Sequence, residues 1–218
     1  MIARLRGLAG RVFDPLAGLL VRLGVSADAV TIAATLGVVV VALWLLPTGH
    51  LLAGAIALTV LALGDALDGA VARKAGSSGP WGAFLDSTLD RLADGAIFTG
   101  LAGYFWIQVG GLEGAYGVVA ALASLVLGFL VSYARARAGS LGFDANVGIA
   151  ERGERLVVAI VGCYLVGFGM APVGLAVLLG LLAFASAVTV VQRMAVVRRQ
   201  VRATRTDTDP ATGAGGAA

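Results

Sequence analysis

Five aspartates, Asp65, Asp68, Asp86, Asp90 and Asp94, stand close together in an otherwise apolar stretch. A charged aspartate at the centre of a membrane span costs roughly 2.5–3.5 kcal/mol, and several in one place also repel one another. Such a group persists only where it faces a wet cavity and is paired with cations. Asp65 and Asp68 are separated by about 60° around a helix and Asp86 and Asp90 by about 40°, so each pair shares one face. Two such faces opposed across a bundle present four carboxylates to one point. Hard oxygen donors of this kind suit Mg²⁺ or Mn²⁺. Four of them suffice for two ions with a shared ligand, and a two-metal clamp serves phosphoryl transfer. The neighbours fit that use. Gly69, Ala72 and Gly82 lie beside the carboxylates and leave room for a bulky group, or let helix backbones approach. Arg73 follows at the end of the same segment, where a guanidinium can hold a phosphate.

The elements that must position these residues are membrane helices. The chain has 218 residues, 59% hydrophobic and only 13% charged, with a mean hydropathy of +0.93. A soluble domain carries far more charge. A span takes about 20 residues. Apolar runs predict helices over 27–46, 51–74, 82–109 and 114–138. The long run from Leu156 to Val191 is divided by Gly167, Gly169 and Pro172 into a fifth and a sixth. The expected fold is an all-α integral membrane protein of six transmembrane helices. Residues 1–24 are expected to form an amphipathic helix on the membrane surface, because Leu5, Leu8, Val12, Leu16, Leu19 and Leu23 recur at helical spacing between arginines. Residues 25–203 would be the membrane domain, and 204–218, polar and rich in Gly and Ala, a disordered tail. Ser26 or Asp28 is the expected cap of the first span. Cys163 reads as a small packing residue, and a single cysteine excludes an internal disulfide.

Charge fixes an orientation. The turns near 47–50, 110–113 and 167–172 contain no Lys or Arg, so all 16 basic residues fall at the other ends of the helices. The positive-inside rule then places both termini and the acidic site on the cytoplasmic side of the cell membrane. The net charge of +3 accordingly reports topology and contact with membrane lipids, and no soluble basic domain is present to bind nucleic acid.

Asp65-x2-Asp68-Gly69-x2-Ala72-Arg73-x8-Gly82-x3-Asp86-x3-Asp90 resembles the CDP-alcohol phosphotransferase signature at every defining position. The resemblance implies transfer of a phosphoalcohol unit from a CDP-alcohol to a second alcohol, with release of CMP. It implies two divalent ions on Asp65, Asp68, Asp86 and Asp90, with Asp90 as general base. It further implies a cytidine pocket lined by Gly69, Ala72 and Gly82, and Arg73 supporting the diphosphate. Members of the family are commonly homodimers, so a homodimer is expected.

Three basic groups, Arg135 with Arg137, Arg152 with Arg155, and Arg193, sit at the ends of the later helices. Converging arginines suit a phosphate dianion, which points to an acceptor alcohol that itself carries phosphate; anchoring of helix ends is the plainer reading. Ser132-Tyr133-Ala134-Arg135-Ala136-Arg137, Glu151-Arg152-Gly153-Glu154-Arg155-Leu156 and Gln192-Arg193 resemble the prokaryotic phosphatidylinositol-phosphate synthases, which join CDP-diacylglycerol to inositol 1-phosphate. That resemblance assigns the acceptor phosphate to Arg135, Arg155 and Arg193. The chain departs from that branch at Arg135, where lysine is frequent, and at Gly153, where proline is frequent. Asp28 and Thr31 match positions near the nucleotide, although helix capping accounts for them equally well. Two alternatives remain at this level: a phosphatidylglycerol-phosphate synthase using glycerol 3-phosphate, and a cation transporter using the aspartates as an ion site. The transporter is disfavoured because the chain has no paired broken helices in its two halves.

Overall fold

The computed structural model describes Pro15, residues 18–75 and residues 79–208, with the side chains of 64–70, 72–75 and 205–208 outside the description. Six long helices follow one another: α1 (Ala27–Leu45), α2 (Leu51–Ala75), α3 (Pro80–Tyr104), α4 (Gly111–Ser140), α5 (Arg152–Gly167) and α6 (Pro172–Thr208). The described residues contain no strand. α3 continues into a π-helical turn, Phe105–Val109. Three helices are long and apolar enough to cross a bilayer, Ala27–Leu45, Gly111–Ser140 and Pro172–Thr204, while in α2 the apolar part is the shorter Leu51–Leu63. α3 carries Asp86, Asp90, Arg91 and Asp94 along its length.

The helix ends follow from the residues there. Ser26 caps α1, its Oγ accepting from the Ala29 amide at 3.2 Å, as Ser at an N-cap should. Pro80 opens α3 and Pro172 opens α6, each in the first turn, where a missing N–H costs nothing. α6 runs through Thr208. The first residues of the expected tail are therefore helical, and 209–218 lie outside the described residues. Most of the expected surface helix also lies outside them. Residues 18–22 are helical, with Leu20 and Val21 packed on Val71 and Leu19 and Leu23 exposed.

α4 packs along α6 and against α3, α1 lies on α2 and α3, and α5 touches α2 and α6. The core between them is formed by Ala42, Leu46, Leu58, Phe98, Leu101, Phe105, Leu175 and Leu179, among others. Outward-facing positions are just as apolar: Leu43, Trp44, Trp106, Val119, Leu181 and Phe184 are all exposed. A water-soluble bundle would place charge there. With lipid as the surrounding solvent, association relies on close packing and interhelical hydrogen bonds. Ser124 donates across to the Leu179 carbonyl at 2.8 Å, and the Thr59 hydroxyl meets the Tyr164 phenol at 3.2 Å.

α1 approaches α3 closely at one glycine. At Gly100 any Cβ would collide with the backbone carbonyl of Ala42, an obstacle that no rotamer change removes. Gly100→Val is expected to push α1 off α3 and to destabilise the bundle by about 1–3 kcal/mol, the usual cost of overpacking. Thermal unfolding in detergent checks this. An unchanged melting temperature would show that the two helices separate without cost.

The turns free of Lys and Arg gather at one end of the bundle. Gln108 donates to the Pro47 carbonyl at 2.9 Å, and Gly49, His50, Tyr104, Val166 and Gly167 line a shared depression. The charged ends of α3 to α6 gather at the other.

Candidate active site

At the charged end a cavity of about 610 Å³ opens between α3, α4, α5 and α6. Its size falls in the range of small-molecule sites. Asp90 and Arg91 enter it from α3, Ser132 and Arg135 from α4, and Arg152 and Arg155 from the first turn of α5. Arg193 enters from α6, and Glu151 from the segment before α5.

The segment between α4 and α5 is fastened to α6, which fixes where α5 starts. The Gln200 amide both accepts from the Asp144 N–H, at 3.0 Å, and donates to the Asp144 carbonyl, at 2.6 Å. The Thr189 hydroxyl accepts from the Ile149 and Ala150 amides, both at 3.1 Å, while donating to the Ala185 carbonyl at 2.9 Å. Arg193 completes the fastening. Its Nε donates to the Val147 carbonyl at 2.8 Å, its Nη1 to the Val131 carbonyl at 2.5 Å, and its Nη2 reaches Glu151 Oε1 at 3.5 Å. The Glu151-Arg152-Gly153-Glu154-Arg155 run is thereby held at the cavity.

Asp90 is largely covered, and its Oδ1 lies 2.8 Å from Arg152 Nη1. Its Oδ2 lies 3.4 Å from Arg91 Nη2. One turn further into the bundle Asp94 is buried, 1% exposed. Asp94 Oδ2 meets Arg155 Nη2 at 2.6 Å and Oδ1 lies 3.6 Å from Arg152 Nε. Arg155 has no exposed surface, and its Nε and Nη1 are buried with no hydrogen-bond partner among the described residues. A buried guanidinium normally has all its donors used, so a cavity-lining arginine with two open donors is a candidate partner for an anion. α4 makes room for that guanidinium: a Cβ at Gly128 would stand 2.8 Å from Arg155 Nε.

The residues singled out from sequence fall into three groups. Asp90, Arg135, Arg155 and Arg193 come together in this one cavity; Arg135 is exposed at its mouth, whereas Arg193 is 2% exposed. Arg137 turns away, toward Ser140. Asp86 is exposed one turn before Asp90 on α3, and Gly82 lies one turn before that, with nothing described within 4 Å of where a Cβ would sit. α2 passes through Asp65, Asp68, Gly69, Ala72 and Arg73, but their side chains lie outside the described residues. Asp28 and Thr31 do not line the cavity. Asp28 Oδ2 accepts from Trp81 Nε1 at 2.9 Å, joining the start of α1 to the start of α3, and Thr31 Oγ1 donates back to the Ala27 carbonyl at 3.1 Å.

No group of three metal-ligating side chains occurs among the described residues, since two of the four motif aspartates lie outside them. The donors that are described fit a hard divalent ion: Asp86 and Asp90 share one face of α3 and offer only oxygen. Arg91 belongs to the site although sequence spacing assigns it no place there, and Asp94 and Arg152, grouped by sequence with the aspartates and with Arg155 but without separate roles, meet at it. The signal available was the continued four-residue step from Asp86 through Asp90 to Asp94, which keeps all three on one side of α3.

Comparison with known proteins identifies the family. The family model described as CDP-alcohol phosphatidyltransferase matches residues 24–180. A phosphatidylinositol phosphate synthase of Cutibacterium acnes is 43% identical over 206 residues, covering 91% of this chain and 98% of that one. The crystal structure of Mycobacterium tuberculosis phosphatidylinositol phosphate synthase with CDP-DAG bound superposes with a TM-score of 0.81 at 37% identity, over 95% of this chain and 98% of that one. A second structure of the M. tuberculosis enzyme, in complex with manganese and citrate, gives a TM-score of 0.79 at 41% identity, over 85% and 88% of the two chains.

Proposed function

The chain belongs to the CDP-alcohol phosphatidyltransferase family, and from that premise we propose that it transfers the phosphatidyl group of CDP-diacylglycerol to inositol 1-phosphate, giving phosphatidylinositol phosphate and CMP. The observation that carries this reading is the meeting of Asp90 with Arg135, Arg155 and Arg193 in one cavity. A group able to take a proton stands beside a cationic site able to hold a phosphorylated alcohol. The names of the relatives point to the same acceptor.

The acceptor hydroxyl attacks the phosphorus that carries the diacylglycerol. The new oxygen–phosphorus bond forms as the bond to CMP breaks, and the hydroxyl proton passes to Asp90. Two divalent ions, Mg²⁺ or Mn²⁺, held by Asp65, Asp68, Asp86 and Asp90, would neutralise the diphosphate and the departing CMP. Gly69, Ala72 and Gly82 would leave space for the cytidine, with Arg73 on the diphosphate. Asp28 and Thr31 would act at the edge of that site. Arg135 meets the acceptor phosphate at the mouth. Arg155 receives it at the floor through Nε and Nη1, once the side chains above it part. Arg193 can exchange its long contact with Glu151 for a phosphate oxygen while its other nitrogens keep the carbonyls of Val131 and Val147. Six spans, both termini and the active site facing the cytoplasm, and a homodimer complete the proposal. The support for the orientation is that the turns without Lys or Arg gather at the end opposite the cavity.

The test is CMP release by the purified chain in detergent with CDP-diacylglycerol and Mg²⁺ or Mn²⁺, offered inositol 1-phosphate, glycerol 3-phosphate or free inositol. Release with inositol 1-phosphate alone is expected. Release with glycerol 3-phosphate instead would keep the reaction and replace the acceptor. Metal binding without CMP release in any arm would return the aspartates to the role of an ion site.

A further inference from the structure

We propose that Asp94 is a positioning residue for the acceptor site. It holds Arg155 and Arg152 so that the cavity presents a phosphate-binding guanidinium and a fixed Asp90 at the same time. The inference rests on the proposed reaction and adds a residue that lies outside the family signature.

Asp94 and Arg155 are each almost without exposed surface. A charge so placed is tolerated only with a partner, and removing one partner leaves the other uncompensated. The pair at 2.6 Å meets that demand, yet the geometry is not the one that would stabilise it most. A carboxylate facing an arginine ordinarily takes two parallel N–H bonds. Here Asp94 takes only Nη2, leaving Arg155 Nε and Nη1 without hydrogen-bond partners among the described residues, while its other oxygen stands 3.6 Å from Arg152 Nε, an ionic contact without a hydrogen bond. A purely structural ion pair gains nothing from this division. A ligand site does: Arg155 is anchored at one nitrogen, and two donors remain for an anion.

The second oxygen joins the acceptor site to the reacting group. Arg152 lies between Asp94 and Asp90, with Nε at 3.6 Å from the former and Nη1 at 2.8 Å from the latter. Asp90 and Asp94 are one turn apart on α3 and present carboxylates to the same side. Arg152 opens α5, the helix that also carries Arg155. One carboxylate therefore accepts a hydrogen bond from the α5 cation that would meet the acceptor phosphate and lies in ionic contact with the α5 cation that pairs with the proposed base. Supporting partners of this kind commonly carry a factor of about 10–100 in affinity or rate when removed.

The experiment compares the wild-type chain with Asp94→Asn and Asp94→Glu in the CMP-release assay, varying CDP-diacylglycerol and the acceptor separately. Asparagine keeps the shape and removes the charge, and glutamate keeps the charge and moves it by one methylene. The KM for inositol 1-phosphate is expected to rise about tenfold in the asparagine variant, with the KM for CDP-diacylglycerol within about twofold, a split that loss of packing alone does not produce. Direct titration of inositol 1-phosphate into each protein should show the same loss. An unchanged acceptor KM, or equal rises in both constants, would overturn the proposal. If the asparagine variant does not fold, the glutamate variant decides on the same split, and an acceptor KM equal to wild type overturns it. The wild-type arm reports separately on the reaction itself. Should it use glycerol 3-phosphate in place of inositol 1-phosphate, the acceptor assignment fails, and the variants measured with glycerol 3-phosphate still decide the role of Asp94.

Discussion

Asp90→Asn is expected to lower the turnover of CMP release by about 10³-fold, within the span usual for loss of a general acid–base group, in a protein that still folds. Asparagine has the size of aspartate and keeps an oxygen for Arg152, so the side-chain position beside Arg152 Nη1 at 2.8 Å is retained. It cannot accept the proton of an acceptor hydroxyl, and an amide oxygen is a weaker ligand for a divalent ion than a carboxylate. Asp90 lies at the edge of the cavity and not in the apolar core, so little stability depends on it. Binding of CDP-diacylglycerol, measured by titration, should survive. Turnover equal to wild type would remove Asp90 from both proposed roles. Loss of Mn²⁺ binding together with activity would locate its main contribution in holding metal, whereas retained Mn²⁺ binding with lost activity would locate it in proton transfer.

Most of the helices were legible in the sequence, because lipid-facing and core-facing positions are both apolar and the runs between breakers are long. Pro47 and Gly169 lie in turns just past helix ends, and Gly110 and Pro172 stand at helix starts, where composition places the breaks. The end of α6 was less legible: the helix passes through Arg198, Arg199 and Arg202, and charged residues propagate a helix as well as apolar ones do. Within the site, the shared face of Asp86 and Asp90 follows from helical periodicity alone. That Arg135 and Arg137 face different ways follows from it too, but which of them turns toward the cavity does not. Long-range partners are a different matter. Asp94 and Arg155 are 61 positions apart, Arg193 and the Val131 carbonyl 62, and Trp81 and Asp28 53. No local pattern says that Arg193 will spend two nitrogens on backbone carbonyls, or that Asp28 will hold an indole. Those facts come from how helices far apart in sequence meet, and they separate arginines that look alike along the chain.

Arg155 shows what that separation implies. Arg155→Ala is expected to raise the KM for inositol 1-phosphate by about 100-fold, in keeping with the 2–5 kcal/mol lost when one partner of a buried hydrogen-bonded charge pair is truncated. The KM for CDP-diacylglycerol should change by less than about threefold, an allowance for indirect effects. The alanine variant also strands Asp94 in a site where it is 1% exposed, so a loss of stability of about 3–5 kcal/mol is expected with it. Arg155→Lys separates the two effects. Lysine keeps the positive charge beside Asp94, and with it most of the stability, but it offers a single ammonium in place of a fork with Nε and Nη1 directed elsewhere. The lysine variant should therefore melt close to wild type and still show an acceptor KM raised by about tenfold, the loss expected when two-point recognition becomes one-point. Equal shifts in the two KM values, in either variant, would mean that Arg155 serves only to anchor α5 against Asp94. The acceptor phosphate would then have to be held at the mouth by Arg135 and on the α6 side by Arg193. A shift confined to the acceptor would place the phosphate at the cavity floor, within reach of Asp90 through the Arg152 bridge.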